Sequence, residues 1–216
     1  MNRSVSGRTL VELMVSSAII LMITAACAAA LRASLDYHKR VQLQSQIEED
    51  LLRIIGSLTR ELGESTPDAV NWQVAPRALT FPTPRDPSGR LLIDHAAGNR
   101  IRWQTILSYR QEGPDDELKR YIDRLPSVEV AAPHPMDLSP QRDDTYFAAP
   151  DREYKTLARG VTDFNLTALE IDENNENQTV VTDLSEADLF KVFIRIEQGV
   201  DQKYAVSSEV GIVPSN

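Results

Sequence analysis

Nineteen consecutive residues, 13–31, carry no charged side chain, and the helical pattern that starts there outlasts the apolar run. As a helix rising about 1.5 Å per residue, this stretch is about 28 Å long, enough to cross the hydrocarbon core of a bilayer once. Beyond Leu31 the chain turns polar at Arg32, Asp36, His38, Lys39 and Arg40. Ile47, Leu51, Ile54, Ile55, Leu58 and Leu62 then recur at steps of about three and four, a single apolar stripe at helical spacing. Glu48, Glu49, Asp50, Arg53 and Arg60 take the other side. No proline occurs before Pro67, and Gly63 is the expected C-cap. The pattern predicts one helix of about 55 residues, about 80 Å long. Its first half has only lipid or other helices to face, and its second half must lie on a folded domain.

What remains of the 216 residues allows one modest domain. A net charge of -9 argues against nucleic acid as a partner, because the general field repels phosphate. The lone cysteine, Cys27, lies inside the apolar run. It is expected to be a small buried residue and not a redox centre, and the rest of the chain has no cysteine for a disulfide.

The C-terminal two thirds read as strands. Residues 78–81 form a short one that should end at Pro82, a turn region covers 82–89, and residues 90–93 form a second strand. After a turn at Gly98-Asn99, residues 100–110 alternate Ile101, Trp103, Leu107 and Tyr109 with Arg102, Gln104, Ser108 and Arg110. Gly113-Pro114-Asp115-Asp116 turns the chain into 117–123. Prolines 126, 133, 135, 140 and 150 predict a long surface loop over 125–150 with at most one short strand. Residues 156–160 lead into a strand over 161–171. Phe190, Val192, Ile194 and Ile196 alternate with polar neighbours, and Tyr204, Val206, Val210 and Ile212 complete a closing hairpin.

The N-terminus admits three readings. A secretory signal or lipoprotein could be cut near Ala25-Ala26-Cys27-Ala28, but the helical pattern continues past that point and no convincing lipobox precedes Cys27. A plain membrane anchor is the second reading. The third rests on Gly7-Arg8-Thr9-Leu10-Val11-Glu12-Leu13, where one acid stands at the mouth of the apolar run and an ionisable group at the edge of lipid needs a partner or a function. This block resembles the class III signal of type IV prepilins and type II secretion pseudopilins. Further on, Ile101-Arg102-Trp103-Gln104-Thr105-Ile106-Leu107-Ser108-Tyr109-Arg110 with Glu117-Leu118-Lys119-Arg120 resembles a strand and turn of J-type pseudopilins and W-type minor pilins. Leu157-Ala158-Arg159-Gly160-Val161-Thr162-Asp163-Phe164 and Ser207-Ser208-Glu209-Val210 are similar to other blocks of that group.

The resemblance implies an α+β, pilin-like fold: a long N-terminal helix packed on an antiparallel β-sheet head. It divides the chain into a leader (1–7), a transmembrane and assembly half of the helix (8–31), an amphipathic half (32–63) and a β-rich head (64–216). It implies cleavage by a prepilin peptidase between Gly7 and Arg8, methylation of the new N-terminus, and a role for Glu12 in assembly. The implied function is a minor pilin or pseudopilin in a tip complex that starts or caps a type IV filament. Such a subunit waits in the bacterial inner membrane with its head in the periplasm. Its partners would be other minor subunits, the major subunit and the inner-membrane assembly platform. The alternative is a tip-located binding subunit whose 125–150 loop contacts a surface, an exoprotein or DNA. Two departures stand out: a charged Arg8 where the family usually has an apolar residue, and no proline about twenty residues into the helix.

No grouping in the sequence suggests an enzyme. His38, His95 and His134 are far apart and none falls in a zinc spacing. Asp172, Asn174 and Glu176 alternate as calcium ligands do, but the sixth position lacks glycine and the twelfth is Asp183 instead of Glu. A solvated hairpin loop is the expectation there, with no metal and no cofactor. Trp72, Trp103 and Phe147 are expected to be mostly core.

Overall fold

The computed structural model describes residues 10–75, 77–86, 88–96, 98–129, 144–149, 152–172, 177–199 and 204–214. It opens with one unbroken helix, α1 (Leu10–Gly63), of 54 residues. Two compact units, Met1–Ser45 and Gln46–Asn216, share this helix. No residue over 10–42 is buried. From Ile47 on, the predicted stripe sinks into the protein: Ile47, Leu51, Ile54, Leu58 and Leu62 are buried, and Ile55 lies half-buried at its margin. Each fully buried side chain of this size stabilises by about 1.5–3 kcal/mol. The helix stops at Gly63, but this glycine is not a left-handed cap, since its φ is not positive. Instead, Ser65 N–H donates to the Leu62 carbonyl and a 3₁₀ turn follows at Pro67–Ala69.

The chain is α+β, a long N-terminal helix on antiparallel sheet. The strands are β1 (Asn71–Val74), β2 (Arg77–Thr83), β3 (Ile93–Asp94), β4 (Arg100–Ile101), β5 (Trp103–Glu112), β6 (Glu117–Glu129), β7 (Glu153–Ala158), β8 (Val161–Asp172), β9 (Asn177–Val181), β10 (Leu189–Gln198) and β11 (Tyr204–Ile212). They form a five-stranded sheet in the order β1-β2-β5-β6-β7, a four-stranded sheet in the order β11-β10-β8-β9, and a ribbon of β3 and β4. Every pairing is antiparallel. The closing hairpin of β10 and β11 matches the alternation read from the sequence: Phe190, Val192, Ile194 and Ile196 are buried.

Several strand boundaries differ from expectation, each for a local reason. β2 does not stop at Pro82. Its neighbour β1 reaches only Thr80, so Pro82 sits where β2 has a partner on one side only and its missing N–H costs little. The strand expected over 100–110 is split at Arg102, whose N–H donates to the Leu92 carbonyl. The segment 90–93 yields only an isolated bridge from Leu91 to Arg85 and the start of β3. β6 continues through residues 125–129, where a loop was expected. Trp103 pairs with Glu129 and Thr105 with Arg124, so the extra residues around Pro126 are taken up as a bulge. A short helix, α2 (Asp144–Phe147), also falls in the expected loop, and residues 130–143 lie outside the described residues. Edge strands β1 and β9 were not anticipated.

The two larger sheets meet at Gly160. Its N–H donates to the Asp115 carbonyl in the β5–β6 turn, and its carbonyl accepts from Glu197 N–H on β10. Its φ is +70°, and a Cβ there would lie 2.2 Å from the Glu197 carbonyl oxygen. Only glycine fits. Arg77 and Asp163 add an ion pair at 3.1 Å between the sheets.

All buried helix residues lie at or beyond Ile47, so a fragment from residue 32 onward contains the whole described core. In that fragment Leu58→Ala should cost about 2–5 kcal/mol in urea unfolding. Leu52→Ala, at a position 70% exposed, should stay within about 0.5 kcal/mol. Equal effects at the two positions would mean that the stripe is not the buried face.

Candidate functional site

Two features of α1 stand out chemically. The first is its N-terminal half. Leu10, Val11, Leu13, Met14, Val15, Ile19 and their neighbours project outward over residues 10–31, and the segment is long and apolar enough to cross a membrane. Two of its polar side chains are turned back onto the helix: Ser17 donates to the Leu13 carbonyl at 2.9 Å, and Thr24 donates to that of Ile20. Hydroxyls satisfied this way are compatible with lipid. Glu12 lies in the first turn, where the helix dipole favours an acid. Gly7 and Arg8 fall outside the described residues. Cys27, expected to be buried, is exposed on this surface, because the described chain offers nothing to cover the helix there.

The second feature is a buried carboxylate. Glu61 lies on the stripe, one helical turn past Ser57 and Leu58, and is 4% exposed. The β5–β6 register places Tyr109 directly opposite Arg120, which brings a phenol and a guanidinium side by side beneath the helix. Tyr109 Oη donates to Glu61 Oε2 at 2.5 Å. Arg120 donates through Nε to Oε2 at 3.1 Å and through Nη2 to Oε1 at 2.8 Å. Ser57 Oγ lies 3.3 Å from the same phenol oxygen. The bidentate fork and the phenol saturate the carboxylate, which is the condition for keeping a charge inside a core.

Burial, reinforced by the negative charge of Glu61, pushes the Tyr109 pKa well above the usual phenol range. Burial alone would lower the Arg120 pKa, but its bonds to Glu61 more than reverse this and the net shift is upward. Both groups are therefore fixed as donors at neutral pH. These bonds fasten α1 to the sheet.

The opposite face of the five-stranded sheet is covered by α2. Phe147 is buried, with the Arg110 guanidinium 4.5 Å from its ring centre and the Tyr121 ring tilted against it at 4.8 Å. Arg152 sits over Tyr146 at 4.0 Å and pairs with Asp123 at 2.9 Å. Phe147 and Trp103 are core, as expected, while Trp72 is half-buried edge-on to Phe164. Among the described residues, no group of three or more His, Cys, Asp or Glu side chains could hold a metal ion. Residues 173–176, in the calcium-like stretch, lie outside the described residues, as does His134. Asp183 accepts from Ser185 N–H at 3.0 Å and caps a short 3₁₀ turn. No model of a known protein family matches the chain, and no curated protein matches it either.

Two measurements follow from the Glu61 cluster. Glu61→Ala leaves the Arg120 guanidinium partly buried without its carboxylate and should cost about 3–5 kcal/mol in urea unfolding. A loss below about 1 kcal/mol would mean that the cluster is incidental. Tyr109, and Tyr121 whose pKa is also raised chiefly by burial, stay protonated in the folded state above the ordinary phenol pKa of about 10. Their stabilisation is complete below that value. It is lost as pH rises above it, because only the unfolded chain releases the protons. The melting temperature should fall above about pH 10, with a smaller fall in Tyr109→Phe. An unchanged alkaline slope in that variant would contradict the assignment.

Proposed function

We propose that the protein is a low-copy subunit of a type IV filament system, a minor pilin or J-type pseudopilin that takes part in starting or capping the filament. The observation that carries this reading is the division of α1. One uninterrupted helix presents an apolar, lipid-compatible surface over residues 10–31, with a single acid, Glu12, at its entry, and then seats residues 47–62 in an α+β head. The reading also draws on the resemblance around Gly7-Arg8-Thr9-Leu10-Val11-Glu12.

In this proposal the subunit resides in the inner membrane until assembly. A prepilin peptidase cuts between Gly7 and Arg8 and frees a positively charged amine. Lateral contact with other minor subunits and the major subunit, on the assembly platform, brings the amine of one chain to the Glu12 carboxylate of the next. Each charge relieves the cost of holding the other in an apolar bundle, and the pairing fixes the axial register. The charged Arg8 suits a rare or terminal position better than the interior of a packed bundle.

Mass spectrometry of the native protein should find a chain that starts at Arg8, carrying a methyl group. A chain starting at Cys27 or Ala28 would sink the proposal. Glu12→Ala should still reach the membrane, since removing a charge favours insertion. It should lose crosslinking to the other minor subunits while the melting temperature of the head stays unchanged. Wild-type crosslinking in that variant would rule out the pairing of amine and carboxylate.

A further inference from the structure

A cleft of about 250 Å³ opens between α1 and the helix-facing side of the five-stranded sheet. Its lining inverts the charge of the whole protein. Arg53, Arg60, Arg85, Arg120 and Lys155 line it, against two carboxylates, Glu61 and Asp86, in a chain of net charge -9. We infer that this cleft binds a phosphate-class oxyanion. The inference stands on the cleft alone and is independent of the filament reading.

Three of the five cations are paired with carboxylates. Arg120 is committed to Glu61, and Arg85 pairs with Glu64 through Nε at 2.7 Å. Arg53 pairs with Glu49 and Asp50 along the helix. Asp86 is occupied at the rim by Ser88 and by the Arg90 N–H, and these bonds, the Ser88 hydroxyl first, lower its pKa. Two cations remain. Arg60 reaches only the edge of the already saturated Glu61, at 3.5 Å. Lys155 forms no ion pair among the described residues, and the β6–β7 register sets it directly opposite Arg120. Arg120 is neutralised by Glu61, so Lys155 and Arg60 are the cations of the lining left for an anion.

The polar lining is of the same character. Thr105 lines the cleft and is 1% exposed, and its hydroxyl has no hydrogen-bond partner among the described residues. A buried hydroxyl in that state is costly and gains a bond when an oxygen-rich ligand enters. Ser57 and Thr83 also line the cleft. Two spare cations and several hydroxyls suit a tetrahedral, many-oxygen anion better than a planar carboxylate, and the fork of Arg120 is already taken by one.

The phosphate could be free or carried on a lipid headgroup, and two soluble probes separate these sources. Full-length protein in zwitterionic detergent at pH 7.5 is titrated with inorganic phosphate, and in parallel with glycerophosphoglycerol, a deacylated diester headgroup. The melting temperature is followed against chloride at equal ionic strength. The expected result is a saturable rise with inorganic phosphate. Its apparent affinity should fall by at least about tenfold in Arg60→Gln/Lys155→Gln, which removes two charge-assisted contacts. Both side chains are exposed, so the variant should fold as wild type does, and Lys191→Gln, on the other sheet, should titrate as wild type. Saturation by phosphate alone supports a free or monoester phosphate, whereas saturation by both probes supports a lipid headgroup. Saturation by neither probe overturns the inference. So does a rise that is the same in the double variant, which would reflect only the general stabilisation that phosphate salts give.

Discussion

The structure depends on one carboxylate. Glu61 lies in the middle of an otherwise apolar helix stripe and is held by three donors from two neighbouring strands. Apolar stripes alone hold a helix to a sheet with little angular or axial precision, since hydrophobic attraction has no direction. The fork of Arg120 and the phenol of Tyr109 have direction, and they require Glu61 at one rotation and one height. A slip of one residue along α1 would strand a charge in the core. The cluster therefore sets the register between helix and sheet. It also shapes the space beside it, because Arg120 and Glu61 are at once the clip and part of the wall of the basic cleft.

The two ends of α1 obey opposite rules. Over residues 10–31 the hydroxyls of Ser17 and Thr24 are turned inward to the helix backbone and the apolar side chains point out. From residue 47 the apolar stripe points in, and the outer face carries i,i+4 pairs such as Arg53 with Glu49. One helix thus meets two solvents, and the change between them falls in the polar stretch around residues 32–45. In the proposed filament the first half would exchange lipid for other helices of the same chemistry, leaving the second half and the head unaltered.

Much of this was legible in the sequence. The spacing of Ile47, Leu51, Ile54, Leu58 and Leu62 gave the buried face correctly, and the alternation of residues 190–196 with 204–212 gave the final hairpin. Turn residues with positive φ, Gly98, Asn99, Gly113 and Asp116, lie where the chain was expected to reverse. What escaped was non-local. Pro82 reads as a strand end unless it is known that β1 stops short of it, and Pro126 reads as a loop unless the bulge opposite Gln104 is known. Glu61 was not singled out in the sequence at all. Its position one turn from Ser57 and Leu58 was the available signal, but its partners lie 48 and 59 residues away. The basic cleft was invisible for the same reason: its cations come from α1, the β2–β3 connection, β6 and β7.

Gly160 closes the head in a way that bears on how such a protein can change over generations. Main chain from the β5–β6 turn, the start of β8 and the end of β10 converges there through N–H to carbonyl hydrogen bonds, flanked by the Gln111 and Gln198 side-chain amides, which donate to the Val161 and Arg159 carbonyls. A seam made mainly from backbone is indifferent to what the outer faces display. The exposed positions of β7, β9 and β11 can drift in sequence, and new surfaces can be tried on them, while the two sheets stay joined. The seam itself admits one residue only, so freedom on the outside rests on one fixed letter within.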